Sequence, residues 1–209
     1  MVSKMTIKGI GQVEQAIKNR AVFYLFQFPR IIKYRLLSNC KHIIGRPHCN
    51  QPVVFLGKGT ILFGKNVNLG VVASPGFYNM YGYLDARNVP SRIVIGSNVY
   101  INNNFFICSE GEGIEIGEDT LIGINCQIMD SDFHDLDPGQ RMTGIPKTAR
   151  VVIGKNVFIG NNVSILKGVT IGDNSVVGSG SIVTKSIPAN AIAGGSPAIV
   201  IKNLSNGTR

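Results

Sequence analysis

Over the C-terminal part of the chain an aliphatic residue returns at every sixth position: Ile153, Ile159, Ile165, Ile171, Val177 and Val183. Glycine follows four of them directly, at Gly154, Gly160, Gly172 and Gly178. Four positions after each aliphatic stand Val157, Val163, Val169, Ser175, Ser181 and Ile187. The same beat runs earlier through Ile95, Ile101 and Ile107, then Ile116, Ile122 and Ile128. A helix repeats at about 3.6 residues and a strand at about 2, so a sustained period of six is neither. It predicts an all-β solenoid, a parallel β-helix, in which each hexad is one side: a short strand with an inward aliphatic, then a turn. Three sides close a coil, so Ile153 should stack on Ile171 and Ile159 on Val177.

The breaks in the beat define the rest of the organisation. Irregular hexads begin near Val54, with Leu56-Gly57, Phe63-Gly64 and Leu69-Gly70. Residues 74–92, with Ser74-Pro75-Gly76 and the tyrosine-rich Tyr78–Tyr83, read as an excursion. Extra residues around Glu110-Gly111-Glu112 separate Ile107 from Ile116. The chain leaves the beat again at His134 and rejoins it at Val151–Ile153, so residues 134–150 form a second excursion. Its Asp135–Arg141 stretch is polar and rich in turn formers. Loops thrown out of a solenoid are usual places for binding and catalysis. Before the coils, residues 7–38 read as helical through Ile7, Val13, Ile17, Val22, Leu25, Phe26, Ile31, Ile32 and Leu36. Pro29 predicts a break into two short helices. The expected domains are a basic helical cap over residues 1–50, a solenoid over 51–204 and a tail at 205–209.

Charge changes the picture mainly at the N-terminus. Of 209 residues, 44% are hydrophobic and 16% charged, which fits a packed chain and not a disordered one. Residues 1–50 hold nine Lys/Arg against Glu14 alone, a net +8, whereas residues 51–209 hold twelve against eleven, a net +1. Such a segment favours an anionic partner: a membrane surface, a phosphorylated ligand or nucleic acid. No RNA motif, zinc finger or helix-turn-helix accompanies it, which argues against nucleic acid. Cys40, Cys49, Cys108 and Cys126 show no C-x-x-C spacing and read as reduced thiols of a cytoplasmic protein. The apolar run Ala21–Phe26 is too short to span a bilayer and carries no cleavage pattern, so a cytoplasmic location is expected, with peripheral membrane contact through residues 1–50.

The run from Val152 to Gly160, the closing Ala193-Gly194-Gly195-Ser196-Pro197-Ala198 and the Asp130-x-Asp132-x-His134 triplet resemble the hexapeptide-repeat acyltransferases. Within them the chain is most similar to sugar O-acetyltransferases of the maltose, galactoside and nodulation-factor type and to their surface-polysaccharide relatives. The resemblance covers about residues 51–204. It implies a left-handed β-helix, a hand that periodicity alone does not give. It also implies acetyl-CoA as acyl donor, no metal, a sugar-like acceptor and a homotrimer with sites at subunit interfaces.

His134 stands at the corner where the beat is abandoned, beside Asp130, Asp132 and Asp135. A histidine among carboxylates can hold one tautomer and accept a proton, although a solvated loop histidine is the alternative. The resemblance makes His134 the general base and the backbone amide of Asn161 the oxyanion donor. It places Asn104, otherwise an ordinary turn asparagine, on the acceptor hydroxyl, and Asp130 and Asp132 are expected beside the acceptor. Asp85, Arg87, Glu110 and Glu112 read as solvated surface charge, with sugar contacts as the alternative. Of Lys155, Lys167, Lys185 and Lys202, the resemblance points Lys185 and Lys202 at the nucleotide end of the coenzyme. It also sets Ser179 along the pantetheine arm and Phe158 beside the thioester, where relatives often carry tryptophan. Ile199 stands where they often carry arginine. A xenobiotic or amino-sugar N-acetyltransferase remains an alternative, as does a non-catalytic solenoid. A γ-type carbonic anhydrase would need three converging histidines, and His42 and His48 read as lying ahead of the coils.

Overall fold

The computed structural model describes residues 13–204; Ile7 and the tail at 205–209 lie outside them. Strands of each coil distribute over three sheets. The first holds β1 (His42–Ile44), β4 (Thr60–Phe63), β7 (Arg92–Ile95), β10 (Ile114–Ile116), β13 (Val151–Ile153) and β16 (Thr170–Ile171). The second holds β2 (His48–Cys49), β5 (Asn68–Leu69), β8 (Tyr100–Ile101), β11 (Leu121–Ile122), β14 (Phe158–Ile159), β17 (Val176–Val177), β19 (Ala191–Gly195) and β20 (Ala198–Asn203). The third holds β3 (Val53–Leu56), β6 (Gly82–Ala86), β9 (Phe106–Ser109), β12 (Gln127–Met129), β15 (Ser164–Ile165) and β18 (Ile182–Val183). All neighbours are parallel except β19 and β20. Ile153 pairs with Ile171 and Ile159 with Val177, as the period of six predicts. The inward aliphatics form one continuous buried column from Val53 to Ala198.

Two side-chain devices stitch the coils together. Asparagine at the corners adopts left-handed backbone, as at Asn104 (φ 58°), Asn125 (φ 59°) and Asn162 (φ 57°), where its short polar side chain lowers the cost. These asparagines stack into a ladder: Asn104 Nδ2 donates to Asn125 Oδ1 at 2.8 Å, and Asn125 Nδ2 to Asn162 Oδ1 at 2.9 Å. At other turns, the side chain after the glycine accepts a backbone N–H from the preceding coil. Ser97 Oγ accepts from Lys65 at 3.0 Å, Asn161 Oδ1 from Ile124 at 3.1 Å and Asp173 Oδ1 from Lys155 at 2.8 Å.

The structure moves three expected boundaries. β1 and β2 pair in register with β4 and β5, so coiling begins before residue 51 and part of the expected 1–50 cap belongs to the solenoid. β6 is in register with β3 and β9, which confines the first excursion to the stretch before Gly82 instead of 74–92. The chain is helical without interruption over 13–37, not broken into two helices at Pro29. A π-helical turn (Phe23–Gln27) precedes α1 (Phe28–Leu37), and the Phe28 N–H reaches back to the Phe23 carbonyl. The widened turn makes room for the ring of Pro29, which would otherwise clash with the carbonyl four residues earlier.

Polar contacts fasten this helix to the body. Gln27 is fully buried and donates to the Phe77 carbonyl at 2.9 Å. Arg30 Nη2 donates to the Met80 carbonyl at 2.7 Å, and Tyr34 stacks on Tyr81 with centroids 4.5 Å apart. Helix α1 therefore lies against β3 and the first excursion. A cavity of 670 Å³ lined by Ile31, Arg35, Cys40, Ile43, Arg46 and Phe55 remains beside it.

Candidate active site

The second excursion has a closed neck. After β12, Ser131 bridges Thr148 in antiparallel fashion. The Asp132 N–H donates to the Lys147 carbonyl at 3.2 Å, and the Ala149 N–H to the Asp130 carbonyl at 2.8 Å. Phe133 takes a left-handed conformation (φ 61°), and its N–H donates to Ser131 Oγ at 2.9 Å. This kink delivers His134 to the exposed side of the loop. His134 Nδ1 lies 3.1 Å from the Arg141 carbonyl. A carbonyl only accepts, so Nδ1 carries the proton, and in the neutral ring the lone pair is on Nε2. The loop thus fixes the tautomer that a general base requires.

A charged network, read from sequence as solvated, holds the neck. Tyr83, Asp85 and Arg87 alternate onto one face of the β6 strand and its exit. Asp85 is 5% exposed, and its Oδ2 accepts from Arg87 Nε at 3.1 Å and from the Tyr83 hydroxyl at 3.3 Å. Arg87 Nη1 approaches Glu110 Oε1 at 3.5 Å, and the other Glu110 oxygen accepts from Ser131 Oγ. The Arg87 guanidinium also sits 5.0 Å over the Phe133 ring, a cation–π contact on the residue preceding His134. Burial, followed by the Asp85 charge, raises the Tyr83 hydroxyl above its ordinary pKa.

The same forces silence the thiols. Burial first and Asp85 second push Cys108 up to about 12, burial pushes Cys49 up to about 11, and burial raises Cys126. Thiolate is the nucleophilic form, so none of these is an acyl carrier near neutral pH. Iodoacetamide on the native protein at mildly alkaline pH should spare Cys108 and Cys126, both labelling only after unfolding. Peptide mass analysis reads this directly.

Asp130 corrects the acceptor assignment. It is fully buried, and its carboxylate accepts from Ser109 Oγ at 2.7 Å and from the N–H groups of Glu110, Gly111 and Gly113 at 2.7, 3.3 and 2.7 Å. It pins the Glu110–Gly113 turn and has no face for an acceptor. Asp132 is half-buried, with Oδ2 3.2 Å from Lys167 Nζ. The pair is a charge contact, out of line for a hydrogen bond.

Asn104 lines a cleft of 460 Å³ with Tyr81, Tyr83, Phe106, Asn125 and Gln127. Tyr83 stacks on Phe106 at 5.1 Å, and Phe106 meets Phe133 edge-on at 6.4 Å, so the aromatic wall leads from the cleft to the residue before His134. Asn104, Asn161 and Ser179 occupy corners between the second and third sheets, while His134 departs from the far edge of the third. The Asn161 amide, expected to face an oxyanion, donates instead to Ser179 Oγ at 3.0 Å, the inter-coil stitch that recurs along the solenoid. Phe158 is half exposed on β14, and Lys202 is exposed on β20, both in the second sheet. Lys155 pairs with Glu118 at 2.7 Å and Lys167 with Asp132, whereas Lys185 and Lys202 form no ion pair among the described residues. His42 and His48 lie within the first coil, not ahead of it, and no group of three metal-ligating side chains forms among the described residues. Nor, among those residues, is any helix long and apolar enough to cross a membrane.

A family model described as bacterial transferase hexapeptide (six repeats) matches residues 150–185. Nodulation protein L of Rhizobium meliloti (strain 1021) is 42% identical over 134 residues, 64% of this chain and 68% of that protein. The protein of Escherichia coli (strain K12) named as a lipopolysaccharide biosynthesis O-acetyl transferase, WbbJ, is 36% identical over 198 residues, 87% of this chain and 91% of that protein. The chain belongs to the hexapeptide-repeat acetyltransferases. Across curated relatives the matched stretch spans from 59% to 91% of their own length. A hexapeptide-repeat acetyltransferase from Vibrio cholerae O1 biovar eltor, solved in complex with acetyl-CoA, is 27% identical with a TM-score of 0.51, covering 83% of this chain and 75% of that one. The solenoid is accordingly the left-handed parallel β-helix of this family.

Proposed function

We propose that the protein moves an acetyl group from acetyl-CoA to a sugar hydroxyl, with a surface polysaccharide or its lipid-linked precursor as the acceptor class. The observation that carries this is His134, exposed on the excursion with Nδ1 committed to the Arg141 carbonyl. His134 Nε2 takes the proton from the acceptor hydroxyl as its oxygen attacks the thioester carbonyl. The new C–O bond forms, the C–S bond breaks, and the proton passes to the departing thiolate of the coenzyme. The raised thiols support direct transfer without a cysteinyl intermediate.

The acceptor would lie in the Asn104 cleft, its apolar ring face against Tyr83 and Phe106 and a hydroxyl on the asparagine. In this reading the Asn161 amide exchanges the Ser179 hydroxyl for the developing oxyanion. Phe158 supplies an apolar wall for the thioester, Ser179 contacts the pantetheine arm, and Lys185 and Lys202, which form no ion pair among the described residues, take coenzyme phosphate. The polysaccharide acceptor rests on the similarity to WbbJ, and the sugar hydroxyl also on a match to a galactoside O-acetyltransferase of Lactococcus lactis. Four free cysteines fit a reducing cytoplasm.

Thiol release from acetyl-CoA should depend on an added sugar or nucleotide sugar, and the product should gain one ester-linked acetyl group by mass. Release with no sugar in a broad panel, or acetylation confined to amines, would overturn the O-acetyl reading. The bases of the His134 loop and of Phe158 lie on different sheets of one chain, which supports a site shared between copies. The protein should run as a homotrimer by light scattering; an active monomer would sink that arrangement.

A further inference from the structure

We propose that the N-terminal helix is a docking surface for anionic phospholipid, lying in the bilayer interface with its apolar side down. The motive is an inverted amphipathic helix. A helix that merely capped the solenoid would turn its apolar side inward. Here the groups that fasten the helix to the body are Gln27, Arg30 and Tyr34, held by hydrogen bonds and stacking to the first excursion, with Ile31 the one apolar side chain of α1 that faces the cavity beside them. The apolar side points away from the body. Val13, Ile17, Ala21 and Leu25 follow one another at four-residue steps, and Phe28, Ile32 and Leu36 repeat the step after the π-helical turn. Helical geometry puts residues at that spacing on one face. Ile17 is 63% exposed, Leu25 70% and Leu36 80%, with Tyr24 exposed among them.

Charge selects the occupant. Lys18, Arg20 and Lys33 are exposed beside this stripe, Arg35 is exposed at the mouth of the cavity beside α1, and Glu14 is the only acid in residues 1–50. A second copy of the helix would bring these cations against their own kind, and residues 51–209 carry a net charge of +1, with no acidic excess to draw the helix of another copy. Anionic lipid satisfies both features, because the apolar side chains enter the acyl boundary while Lys and Arg stems reach the headgroups. The proposal is independent of the acetyl-transfer reading, and its test does not use turnover.

The full-length protein is sedimented with vesicles of phosphatidylcholine alone and of phosphatidylcholine containing phosphatidylglycerol. Wild type should bind only the second, and binding should fall as salt rises. Each of Lys18→Gln, Arg20→Gln, Lys33→Gln and Arg35→Gln should weaken binding about fivefold. Leu25→Glu with Leu36→Glu should abolish it with thermal stability and oligomer mass unchanged, since both side chains are solvent-facing. Absence of binding to the anionic vesicles at low salt overturns the proposal. So does equal binding to both vesicle types, or a Leu25→Glu/Leu36→Glu variant whose oligomer mass falls, which would assign the face to subunit contact.

Discussion

Replacing His134 with alanine should lower kcat by roughly two to four decades, the usual contribution of a positioned general base. Fold and acetyl-CoA affinity should be retained. The side chain is exposed and, among the described residues, makes one hydrogen bond, to the Arg141 carbonyl, so little packing is lost. His134→Asn is the sharper variant. Its amide can still donate toward Arg141, yet it has no group that accepts a proton at neutral pH. If His134 served only to hold the loop, asparagine would restore turnover; if it is the base, asparagine should be as slow as alanine. Isothermal titration with coenzyme A would show whether the donor site is intact in both. A turnover number within a fewfold of wild type in either variant would remove His134 from the mechanism.

The regular coils were legible because every inward position repeats the same demand, an aliphatic of similar size on a neighbour of similar size. Where that demand lapses, so did the reading. β1 belongs to the end coil, where Ile43 and Ile44 stay exposed, so Ile44-Gly45 is punctuated like the later hexads but has no buried aliphatic to mark it as one. β6 carries Leu84 and Ala86 inward without a following glycine, and Tyr83 with the tyrosines just ahead of it gives the stretch the look of a loop. Asp85, Arg87 and Glu110 were misjudged for a different reason. Their shared face was readable from alternation and turn position, but the lid over them comes from Ser131 and Phe133, more than twenty residues later in the chain. Asp130 and Asp132 look equivalent in Asp-x-Asp-x-His, and only the distant Glu110–Gly113 turn separates a buried anchor from a half-exposed partner of Lys167. The Asn161 amide could have been foreseen. Ser179 stands one coil later, at the position where serine, asparagine or aspartate stitches the coil before it.

Asp130→Ala should destabilise the protein by about 3–5 kcal/mol, because it removes a buried anion and strands its donors. Three backbone N–H groups and the Ser109 hydroxyl converge on that carboxylate, and no other acceptor faces them in the described residues. Asp130→Asn should be intermediate: the amide oxygen keeps part of the acceptor role, while the new NH₂ is turned toward donors. In a solenoid such a loss acts first on the neighbouring coils. Hydrogen exchange should therefore show early loss of protection at Glu110, Gly111 and Gly113, followed by the Ser131–Thr148 neck. Turnover would then fall through the geometry of His134, since Glu110 is the link between the turn and Ser131. An acceptor-binding role makes the opposite forecast. Asp130→Asn would keep the wild-type urea midpoint and exchange pattern, and the acceptor KM alone would rise. That result would return Asp130 to the acceptor site, whereas a fallen midpoint with an unchanged acceptor KM in the fraction still folded establishes it as the anchor of the loop.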